Sequence, residues 1–178
     1  MNWISTWLAL FEFVLSAGLG LLVVYVNYRM FITTNPDYHA EAEMKKNNVG
    51  VAILTASLLV SAGLIVREGV FPVVNLVRLY FTSDVEYVQG WQLLLLILAH
   101  LGLVFVVAVY TISLSLRFWG RLTPNINEGE ELKKGNTAVG IVLAGVVAVM
   151  AIFISDGLSR LTKSLIPQPS IGHLEIER

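Results

Sequence analysis

Cysteine is absent from the 178-residue chain, which removes disulfides, thiolate zinc sites, iron–sulfur clusters and thiol catalysis together. Charge is scarce: 14% of residues are Asp, Glu, Lys or Arg, against about 25% in globular proteins. What charge there is nearly cancels, at a formal net −1, so there is no basic footprint and no nucleic-acid partner is expected. His39, His100 and His173 have no metal-ligand spacing, and no Ser-His-Asp arrangement can be drawn. Gly18 and Gly20 follow no strand and cannot open a nucleotide loop. The expectation is a protein with no metal, no cofactor and no enzymatic site.

What fills the chain is hydrocarbon. Hydrophobic residues make up 56%, mean hydropathy is +0.71, and the apolar residues are gathered into runs. Residues 47–66, 87–116 and 135–155 carry no Asp, Glu, Lys or Arg, and residues 1–28 carry only Glu12. A bilayer crossing needs about 20 residues, so each run is long enough. The opening MNWISTWLALFEFVL has no basic leader and no clear cleavage site, and is read as a retained first span. The chain is expected to be an all-α integral membrane protein with four transmembrane helices, near 5–32, 46–66, 91–119 and 135–156.

The four spans are two copies of one unit. EMKKNNVGVAILTA (Glu43 to Ala56) lies over ELKKGNTAVGIVLA (Glu131 to Ala144) at an offset of 88 residues. In the same register Trp3 falls on Trp91, Arg29 on Arg117, Pro36 on Pro124 and Gly69 on Gly157. Apolar helices resemble one another by chance, but chance does not align Trp, Pro, Arg and Asn together. Each unit holds two spans and returns to its starting side, so the repeats are parallel. The first occupies 1–88, the second 89–166, and 167–178 reads as a disordered C-terminal tail. Phe71–Phe81 and its counterpart Asp156–Ile166 read as short interfacial helices or as prolongations of their spans.

Seven of the twelve Lys and Arg residues lie in or beside the two hairpin loops: Arg29, Lys45, Lys46, Arg117, Arg121, Lys133 and Lys134. By the positive-inside rule those loops are cytoplasmic and both termini outside. Asn35-Pro36 and Thr123-Pro124 read as helix starts, and Glu41–Lys45 and Glu130–Lys134 as i, i+4 pairs. Lys45, Lys46, Asn48, Lys133, Lys134 and Asn136 are the candidate loop or headgroup contacts; the neighbouring Glu41, Glu43, Glu128, Glu130 and Glu131 read first as a solvated helix face and second as a site for a cation or partner. Small residues on spans two and four, Ala52, Ala56, Ser57 and Ser61 with Gly140, Ala144 and Ala148, mark a close helix contact or an oligomer interface.

Two titratable side chains lie well inside spans. Glu12 and His100 are equivalent at the 88-residue offset, each nine residues after a matching Trp, which places them roughly 9 Å below the surface of a core about 30 Å thick. From Glu12 the same face carries Ser16, Gly20 and Asn27; from His100 it carries Val104, Ala108, Thr111 and Ser115. Two readings stand. Glu12, Ser16, Asn27, His100, Thr111 and Ser115 line a proton or small-ion path, with Glu12 and His100 meeting at the pseudo-two-fold axis; or these residues make structural hydrogen bonds between helices.

The doubled E-x-K-K-x-N-x-x-V-x-I-x-x-A string, most specific at Glu131 to Ala144, resembles the domain of unknown function 350 family, the YjfL-like bacterial inner membrane proteins. The resemblance extends loosely over about three quarters of the chain and implies a plasma-membrane location without defined chemistry. Two functions are therefore expected in competition: a homo-oligomeric channel-like or transporter-like element for protons or small ions, or a scaffold in the bilayer that docks a soluble protein partner or envelope-stress machinery through its cytoplasmic loops.

Overall fold

The computed structural model describes residues 3–34, 40–82 and 89–165; Asn35-Pro36, His39, His173 and the expected tail lie outside them. Seven helices follow in order: α1 (Trp3–Thr34), α2 (Ala40–Lys45), α3 (Val49–Arg67), α4 (Val70–Thr82), α5 (Gly90–Leu122), α6 (Glu128–Lys133) and α7 (Thr137–Ser164), with no strand among the described residues. Four stretches are long and apolar enough to cross a membrane: Ser5–Val26, Val49–Phe81, Gly90–Leu122 and Thr137–Ser164. In hydrocarbon every backbone N–H and C=O must find its partner inside the protein, and a helix provides this within one segment.

The starts and stops have local causes. Asn48 and Asn136 cap α3 and α7, each accepting from the backbone N–H three residues on (Val51 and Val139). Just before each cap the chain turns through a left-handed residue, Asn47 at φ 59° and Gly135 at φ 82°. These two positions are equivalent at the offset of 88. Asn is the non-glycine residue that best tolerates this conformation, so Asn47 and Gly135 both suit the turn. Pro124 lies in the turn after α5, and α6 is capped instead by Asn127; the expected Thr123-Pro124 helix start is corrected accordingly.

Between α3 and α4 the helix breaks at Glu68–Gly69. Pro72 explains the break, because it has no N–H for the Glu68 carbonyl and its ring would crowd that group in a continuous helix. As the third residue of a new helix it costs nothing, since first-turn N–H groups have no intrahelical partner. The residue 88 positions on is Arg160, and α7 runs unbroken to Ser164. Of the two readings for Asp156–Ile166, the separate helix is thus corrected and the segment prolongs its span, while α4 does form separately and buries Pro72, Val73, Val74, Leu76 and Val77, packing on α1 and α5.

Two apolar clusters build the core. One, at the capped end, joins Val51, Leu54 and Leu58 of α3 to Leu143 and Val147 of α7, with Ile112, Leu116 and Trp119 of α5 against them. The other, at the far end, joins Ala62, Ile65 and Val66 of α3 to Ala151 and Leu158 of α7, Val104 and Ala108 of α5, Val70 and Val74 of α4, and Leu19 and Val23 of α1. Later residues of α3 meet later residues of α7 and earlier ones of α5, so α3 and α7 run parallel and α5 runs against both.

The α3–α7 pair is the most extensive contact in the bundle. Gly140 sits against the Gly50 backbone so closely that a Cβ added to it would lie 2.5 Å from Gly50 Cα. One turn further, Ser57 Oγ donates to Ala144 O at 2.7 Å. Of the small-residue face expected here, Gly140, Ala144 and Ser61 are buried, whereas Ala52 and Ala56 are exposed. α3 presents the expected Ser57 and Ser61 together with Gly50 and Leu54 in place of Ala52 and Ala56, and Asn48 at its start is tied to Leu132 O.

Candidate functional site

The polar residues gather at one end of the bundle and along one stripe of α5. At the capped end, Glu43 and Glu131 each make the same pair of bonds. Glu43 accepts from Lys46 Nζ at 2.8 Å and from Asn48 Nδ2 at 3.2 Å; Glu131 accepts from Lys134 Nζ at 2.9 Å and from Asn136 Nδ2 at 2.8 Å. The ion pairs are thus i, i+3, a correction to the expected Glu41–Lys45 and Glu130–Lys134 pairs. Glu41 instead accepts from Tyr28 Oη at 2.6 Å, which raises the phenol above its ordinary value. The halves differ at Asn48: its amide also donates to Leu132 O at 2.6 Å, across to α6, and Asn48 is buried while Asn136 is half-buried.

These contacts set the charges. Hydrogen bonds from Lys46 and then Asn48, aided by the nearby charges of Lys46 and of Lys133 from the other half, hold the Glu43 carboxyl below its ordinary 4.5. Asn136 and then Lys134 do the same for Glu131, and Glu131 in return raises Lys134. A carboxyl lowered in the folded state stabilises it above the ordinary carboxylate range and loses that contribution as pH falls through the folded value. Glu43→Gln is therefore expected to melt below wild type at neutral pH. The gap should close as the pH drops below about 4.5, as read by thermal unfolding in detergent across a pH series. A gap that persisted into acid would detach the effect from ionisation.

Lys45 and Lys133 are exposed beside these pairs. Glu43 and Glu131, read from sequence as solvated, are the organising residues of the site. The available signal was their matching place at the offset of 88 residues, each five residues before its capping Asn.

Inside the spans the structure separates what the sequence placed together. His100, Val104, Ala108, Thr111 and Ser115 form a single buried stripe on α5, and Ser115 Oγ donates to Thr111 O at 2.5 Å. Glu12 and Ser16 are exposed on α1. The side chain of Asn27 lies outside the described residues. His100 Nδ1 is 2.9 Å from Leu96 O on its own helix, and Glu12 and His100 are not hydrogen-bonded or ion-paired to each other among the described residues. Sequence reasoning also missed buried hydroxyls on other helices: Thr55 on α3, and Ser155 and Thr162 on α7. Three buried polar atoms have no hydrogen-bond partner among the described residues: Thr55 Oγ1, His100 Nε2 and Ser155 Oγ. No group of three or more His, Cys, Asp or Glu residues is placed to hold a metal ion among the described residues.

Four helical stretches long and apolar enough to cross a membrane mark a multi-pass α-helical membrane protein. Residues 88–170 match the family model described as Domain of Unknown Function (DUF350). The match covers α5, α6 and α7, a narrower extent than the loose three quarters of the sequence resemblance, and it is to that part of the chain alone that the similarity to the domain of unknown function 350 family applies. No curated protein and no solved structure matches the chain.

Proposed function

We propose that the protein is a channel-like or transporter-like element for protons or small ions in a bacterial plasma membrane, acting as a homo-oligomer. In this reading the two halves are parallel two-helix repeats, the Lys-bearing capped end is cytoplasmic and both termini lie outside. The exposure of Glu12 carries the proposal. It sits in an apolar span whose neighbouring Leu10, Phe13 and Val14 are also exposed, and a carboxyl facing lipid is costly unless a polar partner covers it. His100 is buried in its own bundle, so the cover comes from a second copy, and the path runs between chains along the α1 face of Glu12 and Ser16.

Reconstituted into liposomes with an internal pH-sensitive dye and an imposed potential, wild type is expected to dissipate a proton or cation gradient. Glu12→Gln is expected to reduce that flux to the level of protein-free liposomes. Flux unchanged in Glu12→Gln removes Glu12 from the path.

A second reading, the scaffold, is favoured by the cross-half bond from Asn48 to Leu132, which stiffens a polar surface carrying the exposed Lys45 and Lys133. Wild-type flux no greater than that of empty liposomes overturns the transport reading in favour of this one.

A further inference from the structure

We infer that the break between α3 and α4 is a contact between two copies of this chain, in which Arg67 of each copy pairs with Glu68 of the other at mid-depth in the bilayer. The inference deepens the homo-oligomer of the proposed function, and rests on that reading only for the presence of a second copy.

Contacts along α5 set the depth. A Cβ added to Gly69 would lie 2.9 Å from Val104 Cγ2, so the break abuts Val104 and shares its depth whatever the tilt of the helices. Val104 is thirteen residues after Trp91 and thirteen before Arg117, about 20 Å from each along an unbroken helix. It is thus the middle of the α5 crossing. At the other end of α4, a Cβ added to Gly90 would lie 3.4 Å from the Tyr80 hydroxyl. α4 therefore runs back along the first half of α5, and Val49–Phe81 crosses as one broken stretch. Glu68 and Arg67, one and two residues before Gly69, are within about 3 Å of its level along the axis.

Charge decides what covers the break. Arg67 Nη2 is 3.5 Å from Glu68 Oε1, and the arginine side chain is 73% exposed. That long contact to a sequence neighbour leaves most of the guanidinium N–H donors unused. Half of a core about 30 Å thick lies to either side, too far for the side-chain stem to carry the charge to the headgroups. A guanidinium facing hydrocarbon is costly. Copies of one protein insert with the same orientation, so a two-fold axis between them runs along the membrane normal and sets each residue opposite residues of its own depth. Such a contact is isologous and has to complement itself. A cation and an anion side by side at one depth meet that condition: rotation sets Arg67 against Glu68 and Glu68 against Arg67, and the four charges close into an alternating ring away from lipid.

The test is association between two differently tagged copies of the full chain, co-expressed, extracted into lipid nanodiscs and purified through one tag. Wild-type copies are expected to bring each other down. Arg67→Glu copies are expected to lose association among themselves, as are Glu68→Arg copies, because each then sets like charges face to face. Arg67→Glu mixed with Glu68→Arg is expected to regain it, which also shows that both variants fold. The double exchange Arg67→Glu/Glu68→Arg is expected to associate as wild type does. Monomeric wild type overturns the inference without any variant. So does full association among Arg67→Glu copies, or a mixture that stays apart while thermal unfolding shows both copies folded. Should a reversed copy fail to accumulate, the milder Arg67→Gln and Glu68→Gln decide: each is expected to weaken association, and undiminished association in both overturns the inference. Rescue of Arg67→Glu by Asp156→Arg copies in place of Glu68→Arg moves the partner acid to α7 and overturns it as well. Association is read without any ion gradient, so dimers that carry no flux sink the transport reading alone, and flux from copies that ignore these reversals sinks this contact alone.

Discussion

Gly140→Ala is expected to destabilise the bundle by about 3 kcal/mol, the upper end for an overpacked core, read as an earlier midpoint in thermal or detergent-induced unfolding. The added methyl would meet the Gly50 carbonyl oxygen, Cα and carbonyl carbon together, the last at 2.6 Å. These are backbone atoms, so no side chain can rotate to make room and α3 and α7 must separate. Separation also stretches the Ser57–Ala144 bond next to it. Gly50→Ala is expected to cost less, because its methyl would lie 3.1 Å from Asn136 O and 3.2 Å from Thr137 Cα. Gly145→Ala, with nothing within 4 Å of the added atom, is expected to be neutral or stabilising by up to about 1 kcal/mol through helix propensity. If Gly140 and Gly145 variants unfold alike, the close α3–α7 approach is not what holds the bundle.

The second large effect is an inequality between two equivalent asparagines. Replacing either by alanine removes a helix cap, worth about 1 kcal/mol. Asn48→Ala additionally loses the buried bond to Leu132 O, worth about another 1 kcal/mol, and leaves a gap where the side chain joined the two halves. Leu132 O retains the Gly135 N–H at 2.9 Å, which limits the loss. The expected costs are about 2–3 kcal/mol for Asn48→Ala and about 1 kcal/mol for Asn136→Ala, measured side by side in the same detergent. Equal costs would show that the cross-half bond contributes nothing. Asn48→Asp sharpens the comparison, since it keeps the capping oxygen but loses the amide donor and sets a second carboxylate beside Glu43.

Helical periodicity made the His100 stripe legible in the sequence, because the residues expected to share its face, Val104, Ala108, Thr111 and Ser115, are the residues α5 buries. The Asn caps and left-handed turns were legible as an aligned string. The neighbours of each helix were not: one face of α1 can be read from spacing, but whether another helix stands opposite Glu12 is a property of the assembled bundle. Ser57 and Ser61 were read correctly, but Ala52 and Ala56 look as well suited to close packing as Gly50 until α7 is set against α3. The Glu43–Lys46 and Glu131–Lys134 pairs depended on where the chain leaves the helix, and the turn that brings each lysine back over its carboxylate has no periodicity to read. The α4 break was available in Pro72 set against Arg160.

Most of the packing of α3 is with helices made after it, although α1 and α2 also touch it. It emerges before α5 and α7 exist, yet Asn48 awaits Leu132, Ser57 awaits Ala144, and Gly50 awaits Gly140. While the second half is still being synthesised, the membrane therefore holds a hairpin with a polar, small-residue seam open to lipid.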